Sequence, residues 1–220
     1  MAVSRRLAPL TRDSLDELPS PCRSCTRWEL DAVARGRVEA EGCGAAAKAE
    51  WLSATLLDWG SCGLVVRVDG EVAGYALYAP AAYLPGLAAY PTTPIAPDAV
   101  GLAALRVEPA WAGRGLARML VQGMAADLVR RGVKAVEAVA SARGDQECLV
   151  PADFLLALGF TTVRPHPRTP RLRLDLRSTS PWREDVVEAA LERLLGRRRP
   201  VPLHREDPAL FRGPTTPEHS

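Results

Sequence analysis

The sequence is poor in aromatic residues and in histidine. Aromatics make up 5% of the 220 residues, and only three histidines are present. Basic residues do not form a stripe with interleaved aromatics, which is the pattern typical of a nucleic-acid-binding surface. The one dense basic run, Arg197-Arg198-Arg199, follows a predicted helix, where cations complement the helix dipole. We therefore expect no nucleic-acid partner.

Long hydrophobic runs are also missing. No stretch approaches the roughly 20 apolar residues that a membrane-spanning helix needs, and the first residues lack the apolar core of a signal peptide. The five cysteines are an odd number, which does not favour a disulfide framework. Reduced thiols are typical of intracellular proteins. We expect a cytoplasmic protein with no membrane partner.

Two of the cysteines, Cys22 and Cys25, form a CxxC pair. One such pair is half of a zinc site. Cys43 and Cys62 are the only further ligands nearby in the sequence, and their spacing matches no zinc pattern, so no metal site is predicted. A redox-active pair and ordinary thiols both remain open.

What the sequence does contain is a hydrophobic fraction of 47%, enough for one domain with a real core. Apolar periodicity and turn residues predict alternating strands and helices. The predicted strands are 5–11, two strands flanking Asp69-Gly70, 99–109 and 133–140, and residues 161–177 are predicted to form one strand or a pair. The predicted helices are 26–36, 45–60, 113–132 and 151–159. This order indicates an α/β core with a right-handed crossover.

The domain is expected to span residues 1–177. An amphipathic helix is predicted from Pro181 to Gly196, in the segment 178–196. Residues 197–220 carry four prolines and few apolar residues and are predicted to be a disordered tail. Residues 80–98 hold five prolines; so long a loop inside a domain is often functional.

The most informative stretch is "VEPAWAGRGLARML", residues 107–120, where an apolar strand leads through Gly113-Arg114-Gly115 into a helix. Glycines allow a close approach to the backbone, and the first turn of a helix offers free N–H groups to an anion. This stretch resembles the GNAT family of N-acetyltransferases, whose turn reads Gln/Arg-x-x-Gly-x-Gly/Ala. "LRVEP" before the turn and "LGF" at 158–160 are similar to the family as well.

The resemblance covers about residues 5–177. It implies an α/β (α+β) fold with a mixed, mostly antiparallel, splayed sheet flanked by helices, and it implies acetyl-CoA as co-substrate. Backbone N–H groups of the turn would surround the pyrophosphate, an arginine would add charge, and the strand edge would pair with the pantetheine arm. The implied binding residues are Val107, Gly113, Arg114, Gly115, Leu116, Ala117 and Arg118. Ala112 departs from the family's Gln/Arg.

Acetyl transfer to an amine requires a base that removes a proton from the amine. Glu137 is the first candidate, because it interrupts an apolar strand, and a glutamate at the comparable place serves some relatives that acetylate ribosomal proteins. Glu108, at the end of the central strand, is the second candidate, and Asp98 is a third. Each also has a simpler interpretation as a paired or solvent-facing carboxylate.

The acid that would protonate the leaving thiolate is harder to find. The tyrosine that many relatives use falls on Leu155 here. Cys148 is either a thiol acidified near a helix start or a buried structural cysteine.

The leading interpretation is transfer of an acetyl group from acetyl-CoA to an amine by direct attack in a ternary complex. The acceptor is a small molecule or a protein, and the chain is a monomer or a homodimer. Residues 20–30 and the proline-rich loop 80–97 are predicted to form the acceptor site. The alternatives are an acyl-CoA-binding regulatory module without turnover, and a scaffold that binds a partner protein through the 181–196 helix.

Overall fold

The computed structural model describes residues 3–146 and 148–176. Eight strands form one sheet: β1 (Arg5–Pro9), β2 (Gly63–Val68), β3 (Glu71–Ala79), β4 (Ala99–Val107), β5 (Ala135–Ser141), β6 (Val150–Pro151), β7 (Thr161–Arg164) and β8 (Arg171–Asp175). The strand order is β1-β2-β3-β4-β5-β8-β7, with β6 beside β5. The β4–β5 and β5–β6 pairs are parallel and the others antiparallel. The sheet is therefore mixed and mostly antiparallel, as the family resemblance implied.

The described residues form five α-helices: α1 (Arg12–Asp16), α2 (Ala32–Glu41), α3 (Gly44–Trp59), α4 (Leu116–Arg130) and α5 (Ala152–Ala157). Helix α2 has no buried residues and packs beside α3. An apolar stripe runs along α4 and is buried against one face of the sheet, with Leu116, Leu120, Val121, Met124 and Leu128. A second core, around Leu52 of α3 and Trp28, covers the other face. β4 is therefore apolar because both of its faces are covered.

The predicted helix 26–36 is wrong in both bounds. Helix α2 begins later because the Asp31 carboxylate accepts hydrogen bonds from the N–H groups of Val33 and Ala34, which caps the helix there. It continues through Gly36 and ends at Gly42, which adopts the left-handed conformation at φ 68°. An interior glycine weakens a helix without ending it.

The hairpin predicted at Asp69-Gly70 joins β2 to β3, and Gly60 ends α3 in the left-handed conformation, both as the sequence indicates. No helix in the described part of the chain is long and apolar enough to cross a membrane. The predicted helix 181–196 and the tail 197–220 lie outside the described residues.

Candidate functional site

The site is created by the separation of β4 from β5. The two strands pair only from Ala99 to Gly101. Two residues further, Ala103 is an extra residue in the pairing of β4 with β3, where Leu77 faces Ala104 and Tyr78 faces Leu102. Such a bulge bends a strand and increases its twist. Among the described residues, β4 has no strand partner on its β5 side from Leu102 to Val107, and two cavities lie there.

The first cavity, which we call the turn groove, lies where β4 leads into α4. Its volume is about 330 Å³. Its walls are the glycine turn and the start of α4 on one side and α5 on the other, with Leu105, Val107, Trp111, Ala112, Gly113, Gly115, Leu116, Ala117, Arg118, Phe154, Ala157 and Leu158.

The glycine turn is shaped to leave backbone donors uncovered. Gly113 and Gly115 have φ values of 71° and 79°, a conformation that only glycine adopts without strain. A Cβ at either position would meet no protein atom within 4 Å, so both face open space. Gly115 is the N-cap of α4 and provides no side-chain cap, so the first-turn N–H groups lack a capping acceptor. An anion fits this arrangement.

Arginines flank the same turn. The Arg114 guanidinium lies 4.9 Å from the ring centroid of Trp111, a cation–π contact that holds it beside the groove. Arg118 lies in the first turn of α4 and lines the groove. The positive end of the helix and these side chains together favour a phosphate-bearing ligand.

The second cavity, which we call the cysteine cavity, has the same volume of about 330 Å³. It lies beside β4 and receives Cys22, Cys25 and Cys148, with Pro21, Trp28, Glu29, Lys48, Tyr75, Ala104, Leu105, Arg106, Leu149 and Val150. Leu105 lines both cavities. A ligand in the turn groove that extends along the free side of β4 would therefore reach the cysteine cavity.

A buried ion pair lies in the wall of the cysteine cavity. The Nζ of Lys48 lies 2.6 Å from Oε1 of Glu29, and their side chains are 5% and 0% exposed. Lys48 also donates to the carbonyl of Cys25 at 2.7 Å, which fixes the segment that carries this cysteine. The Nε1 group of Trp28 is buried and has no hydrogen-bond partner among the described residues. This atom is closed to solvent, so it lies behind the surface of the cavity.

Two of the three thiols of the cavity, those of Cys25 and Cys148, face each other. Sγ of Cys25 and Sγ of Cys148 are 3.8 Å apart, although the residues are 123 positions apart in the chain. The hydrogen bond with Cys148, a backbone hydrogen bond at Arg27 and the charge of Lys48 lower the pKa of Cys25 to about 6, against the opposing effect of burial. The same hydrogen bond, followed by burial, raises the pKa of Cys148.

The family model described as Acetyltransferase (GNAT) family matches residues 23–147, more than half of the chain. The chain belongs to the GNAT family of acetyltransferases. The resemblance and the fold inferred from the sequence are thereby confirmed.

Solved GNAT structures share this fold at low sequence identity. The PaiA N-acetyltransferase of Thermoplasma acidophilum, solved in complex with coenzyme A, is 12% identical with a TM-score of 0.53, over 80% of this chain and 99% of that one. A GNAT acetyltransferase of Staphylococcus aureus Mu50 is 9% identical with a TM-score of 0.51, over 79% of this chain and 100% of that one. No curated protein sequence matches the chain significantly.

Among the predicted GNAT site residues, Glu137 is placed away from both cavities. Its side chain is 2% exposed, and Arg171 donates to Oε2 at 2.6 Å while Arg173 donates to Oε1 at 3.1 Å. The N–H of Ala96 also donates to Oε2 of Glu137, at 3.2 Å. Asp98 pairs with Arg173, which lowers the pKa of Asp98. These carboxylates join β5, β8 and the loop before β4.

Glu108 lies closer to the cavities. It directly follows β4, and its Oε1 lies 3.5 Å from Nε of Arg106, which lines the cysteine cavity. Alternation along an extended chain places both side chains on one face. The Glu108 side chain is 28% exposed, so its carboxylate is open to a ligand or to water.

The sequence allowed two interpretations of Cys148, an acidified thiol near a helix start and a buried structural cysteine, and both are wrong. Cys148 is exposed and precedes β6, while α5 begins only at Ala152, and the lowered pKa belongs to Cys25. Leu155, at the position where many relatives have a tyrosine, is fully buried in the core.

Tyr75 lines the cysteine cavity, and burial raises its pKa, so its hydroxyl stays protonated. Sequence reasoning did not single out Glu29, Lys48 or Tyr75.

The two predicted acceptor segments contact each other, and the first of them lines the cysteine cavity. Pro21, Cys22, Cys25, Trp28 and Glu29 lie in the wall of the cysteine cavity. The proline-rich loop packs behind them: Tyr90 stacks on Trp28 with ring centroids 5.2 Å apart, and the Gly86 N–H donates to the Trp28 carbonyl at 3.1 Å. The loop thus supports the wall. The described residues contain no group of three or more potential ligands that could hold a metal ion.

Proposed function

We propose that this GNAT protein transfers an acetyl group from acetyl-CoA to an amine by direct attack in a ternary complex. Acetyl-CoA occupies the turn groove, and the amine acceptor occupies the cysteine cavity. The observation that carries the proposal is the meeting of the two cavities at Leu105, beside the part of β4 that has no β5 partner.

The turn groove fits the phosphates of a coenzyme A thioester. The N–H groups of Leu116, Ala117 and Arg118 point out of the start of α4 toward the anion, and the left-handed glycines keep side chains away. Val107 and Leu105 offer main-chain groups to the amides of the pantetheine arm. Bound acetyl-CoA supplies an acyl group already activated as a thioester.

The cysteine cavity positions the acceptor. Its walls are largely apolar, from Trp28, Leu105 and Val150, and its polar lining residues include Arg106. An amine held there needs little more than orientation and the loss of one proton. Glu108 is proposed as the base because it shares a strand face with Arg106. Glu137 is proposed to be structural, because both of its oxygens are engaged by arginines.

A turnover assay distinguishes this proposal from an acyl-CoA-binding module without activity. The purified full chain is incubated with acetyl-CoA and a panel of small amines and peptides, and thiol release is followed. Amine-dependent release supports the proposal. Tight acetyl-CoA binding with no release on any amine favours the non-catalytic module, and absence of acetyl-CoA binding favours a protein-binding scaffold.

A matched pair of variants then tests the acceptor cavity with whichever amine is active. Trp28→Phe keeps an aromatic ring beside Tyr90 but shortens a side chain that lines the cavity. Trp51→Phe removes a donor that bonds the Tyr83 carbonyl at 2.6 Å, outside the cavity lining. We expect Trp28→Phe to raise the acceptor KM more than Trp51→Phe does. Equal KM values for the two variants would exclude the cavity as the acceptor site.

A further inference from the structure

Two thiols from distant parts of the chain meet in the wall of the cysteine cavity. Cys25 lies in the segment before α2, and Cys148 lies in the loop between β5 and β6. Their sulfur atoms are 3.8 Å apart. Cys25 is half-buried and Cys148 is exposed, so a small molecule in solvent can reach the pair.

The two backbones differ in how firmly they are held. The Cys25 N–H donates to the Pro21 carbonyl at 2.9 Å, and its carbonyl accepts from Lys48. Cys148 has a φ of 64°, an unusual conformation for a residue other than glycine, and sits in an irregular loop. We therefore expect movement of Cys148, rather than of Cys25, to bring the two sulfur atoms within bonding distance.

The chemistry of the pair is asymmetric. Lys48 and the hydrogen bond with Cys148 favour the thiolate on Cys25, and the same contact favours the protonated thiol on Cys148. A thiolate is the form that attacks a disulfide, and a neighbouring thiol resolves the mixed disulfide that results. The pair thus has an attacking and a resolving sulfur.

We propose that Cys25 and Cys148 are a site of reversible disulfide formation, made by exchange with a low-molecular-weight disulfide. The Cys25 thiolate attacks one sulfur of the reagent, forms a mixed disulfide and releases one thiolate. Cys148 then loses its proton to water and attacks Sγ of Cys25, which releases the second thiolate. Two protein thiols are oxidised, and one small disulfide is reduced to two thiols.

The disulfide has a consequence for the acceptor, and this part rests on the proposed function. A disulfide brings two sulfurs to about 2.05 Å, from the 3.8 Å of the thiol pair. The loop of Cys148 is drawn toward the Cys25 segment, and the cysteine cavity narrows. The acceptor KM therefore rises severalfold on oxidation, while acetyl-CoA binding in the turn groove is unchanged.

Cys22 is the competing partner, because CxxC pairs commonly form disulfides. It is only 6% exposed, and its side chain is engaged with the Tyr75 hydroxyl. The sulfur in contact with Cys25 is that of Cys148. The geometry thus favours the long-range pair over the local one.

Peptide mapping decides between the partners, since Arg23 separates Cys22 from Cys25. The full chain is treated with oxidised glutathione, its free thiols are blocked, and it is digested with trypsin without reduction. We expect residues 24–27 linked to residues 144–168, with loss of the link on adding dithiothreitol. A link between 13–23 and 24–27, or glutathione retained on 24–27, would overturn the proposal.

Two serine variants complete the test. Cys148→Ser must abolish the link and leave glutathione on Cys25, whereas Cys43→Ser, a cysteine outside the cavity, must form the link as the parent does. The acceptor KM is then measured before and after oxidation for the parent and Cys43→Ser. An acceptor KM that is the same before and after oxidation would contradict the proposed narrowing of the cysteine cavity. The mass-spectrometric result does not depend on turnover, so it stands even if the chain proves not to be an acetyltransferase.

Discussion

Lys48 and Glu29 form an ion pair of 2.6 Å whose two side chains are almost completely withdrawn from water. Lys48 comes from α3 and Glu29 from the segment before α2, so the pair joins the helix to the wall of the cysteine cavity. A buried pair is costly to form, but removing one partner leaves an uncompensated charge. The cavity wall therefore depends on both residues.

Replacement of Lys48 by methionine is expected to destabilise the fold by about 3–5 kcal/mol, because the Glu29 charge is then buried without a partner. Urea denaturation of the parent and variant measures the difference. The exposed pair Arg35–Glu39, at 3.6 Å, is the control, and Arg35→Met should cost less than about 1 kcal/mol. Equal losses for the two variants would contradict the structural role of the buried pair.

Gly86→Ala tests the support that the proline-rich loop gives to the cavity wall. A Cβ at Gly86 would overlap the carbonyl oxygen of Arg27 and lie 2.8 Å from the Cα of Trp28. We expect a loss of about 1–3 kcal/mol and a higher acceptor KM, with acetyl-CoA affinity unchanged. Thermal unfolding and steady-state kinetics measure these effects.

The matched control is Gly36→Ala in the interior of α2, where a Cβ meets no atom within 4 Å. Alanine there should stabilise the protein by about 0.5–1 kcal/mol, because glycine is the poorer helix former. If Gly86→Ala were as well tolerated as Gly36→Ala, the loop would not support the wall.

Glu137→Gln separates a structural carboxylate from a catalytic base. Removing the charge leaves Arg171 without a carboxylate partner, while Arg173 keeps its ion pair with Asp98, so the midpoint of urea unfolding should fall clearly. The kcat of the folded enzyme should change far less than the 10²–10⁴-fold that general-base catalysis contributes. Glu108→Gln should show the reverse pattern, with a small stability change and a large fall in kcat. A large fall in kcat for Glu137→Gln at unchanged stability would restore Glu137 as the base.

The pH dependence of alkylation tests the electrostatics at Cys25. Only the thiolate reacts with iodoacetamide, and it exists above the pKa of the thiol. The rate at Cys25 should therefore rise with pH to half its plateau near pH 6, the pKa expected from its contacts with Cys148 and Lys48. In the denatured chain the same peptide, residues 24–27, should reach half-plateau near the ordinary value of about 8.5. Coincident profiles in the folded and denatured chain would show that the pair does not favour the thiolate.

The parts of the site that follow from local sequence were predictable. The glycines at 113 and 115 stand where left-handed backbone conformations occur, and the elements on either side have clear apolar periodicity. Glu137 was recognisable as an anomaly in an apolar strand. Its partners Arg171 and Arg173 were not, because they belong to β8 and meet Glu137 only through strand register.

The contacts of the cysteine cavity likewise could not be predicted from local sequence. The CxxC spacing directs attention to Cys22 and Cys25, which are close in sequence, whereas the sulfur that contacts Cys25 comes from 123 residues further along the chain. The extra residue at Ala103 carries no proline, glycine or charge signal, yet it accompanies the separation of β4 from β5. Long-range pairing and bulges depend on tertiary packing, which a local pattern does not encode.

The most direct test of acetyl-CoA binding in the turn groove is calorimetric titration of the full chain and two alanine-to-glutamate variants. Ala117 is the second residue of α4 and lines the groove, while Ala45 is the second residue of α3 and is exposed. Gly115 is left unchanged, because its φ of 79° would strain any other residue. We expect micromolar binding by the parent and by Ala45→Glu, and a loss of at least about tenfold, or 1.4 kcal/mol, in Ala117→Glu. Unchanged binding in Ala117→Glu, or no binding by the parent, would contradict the account.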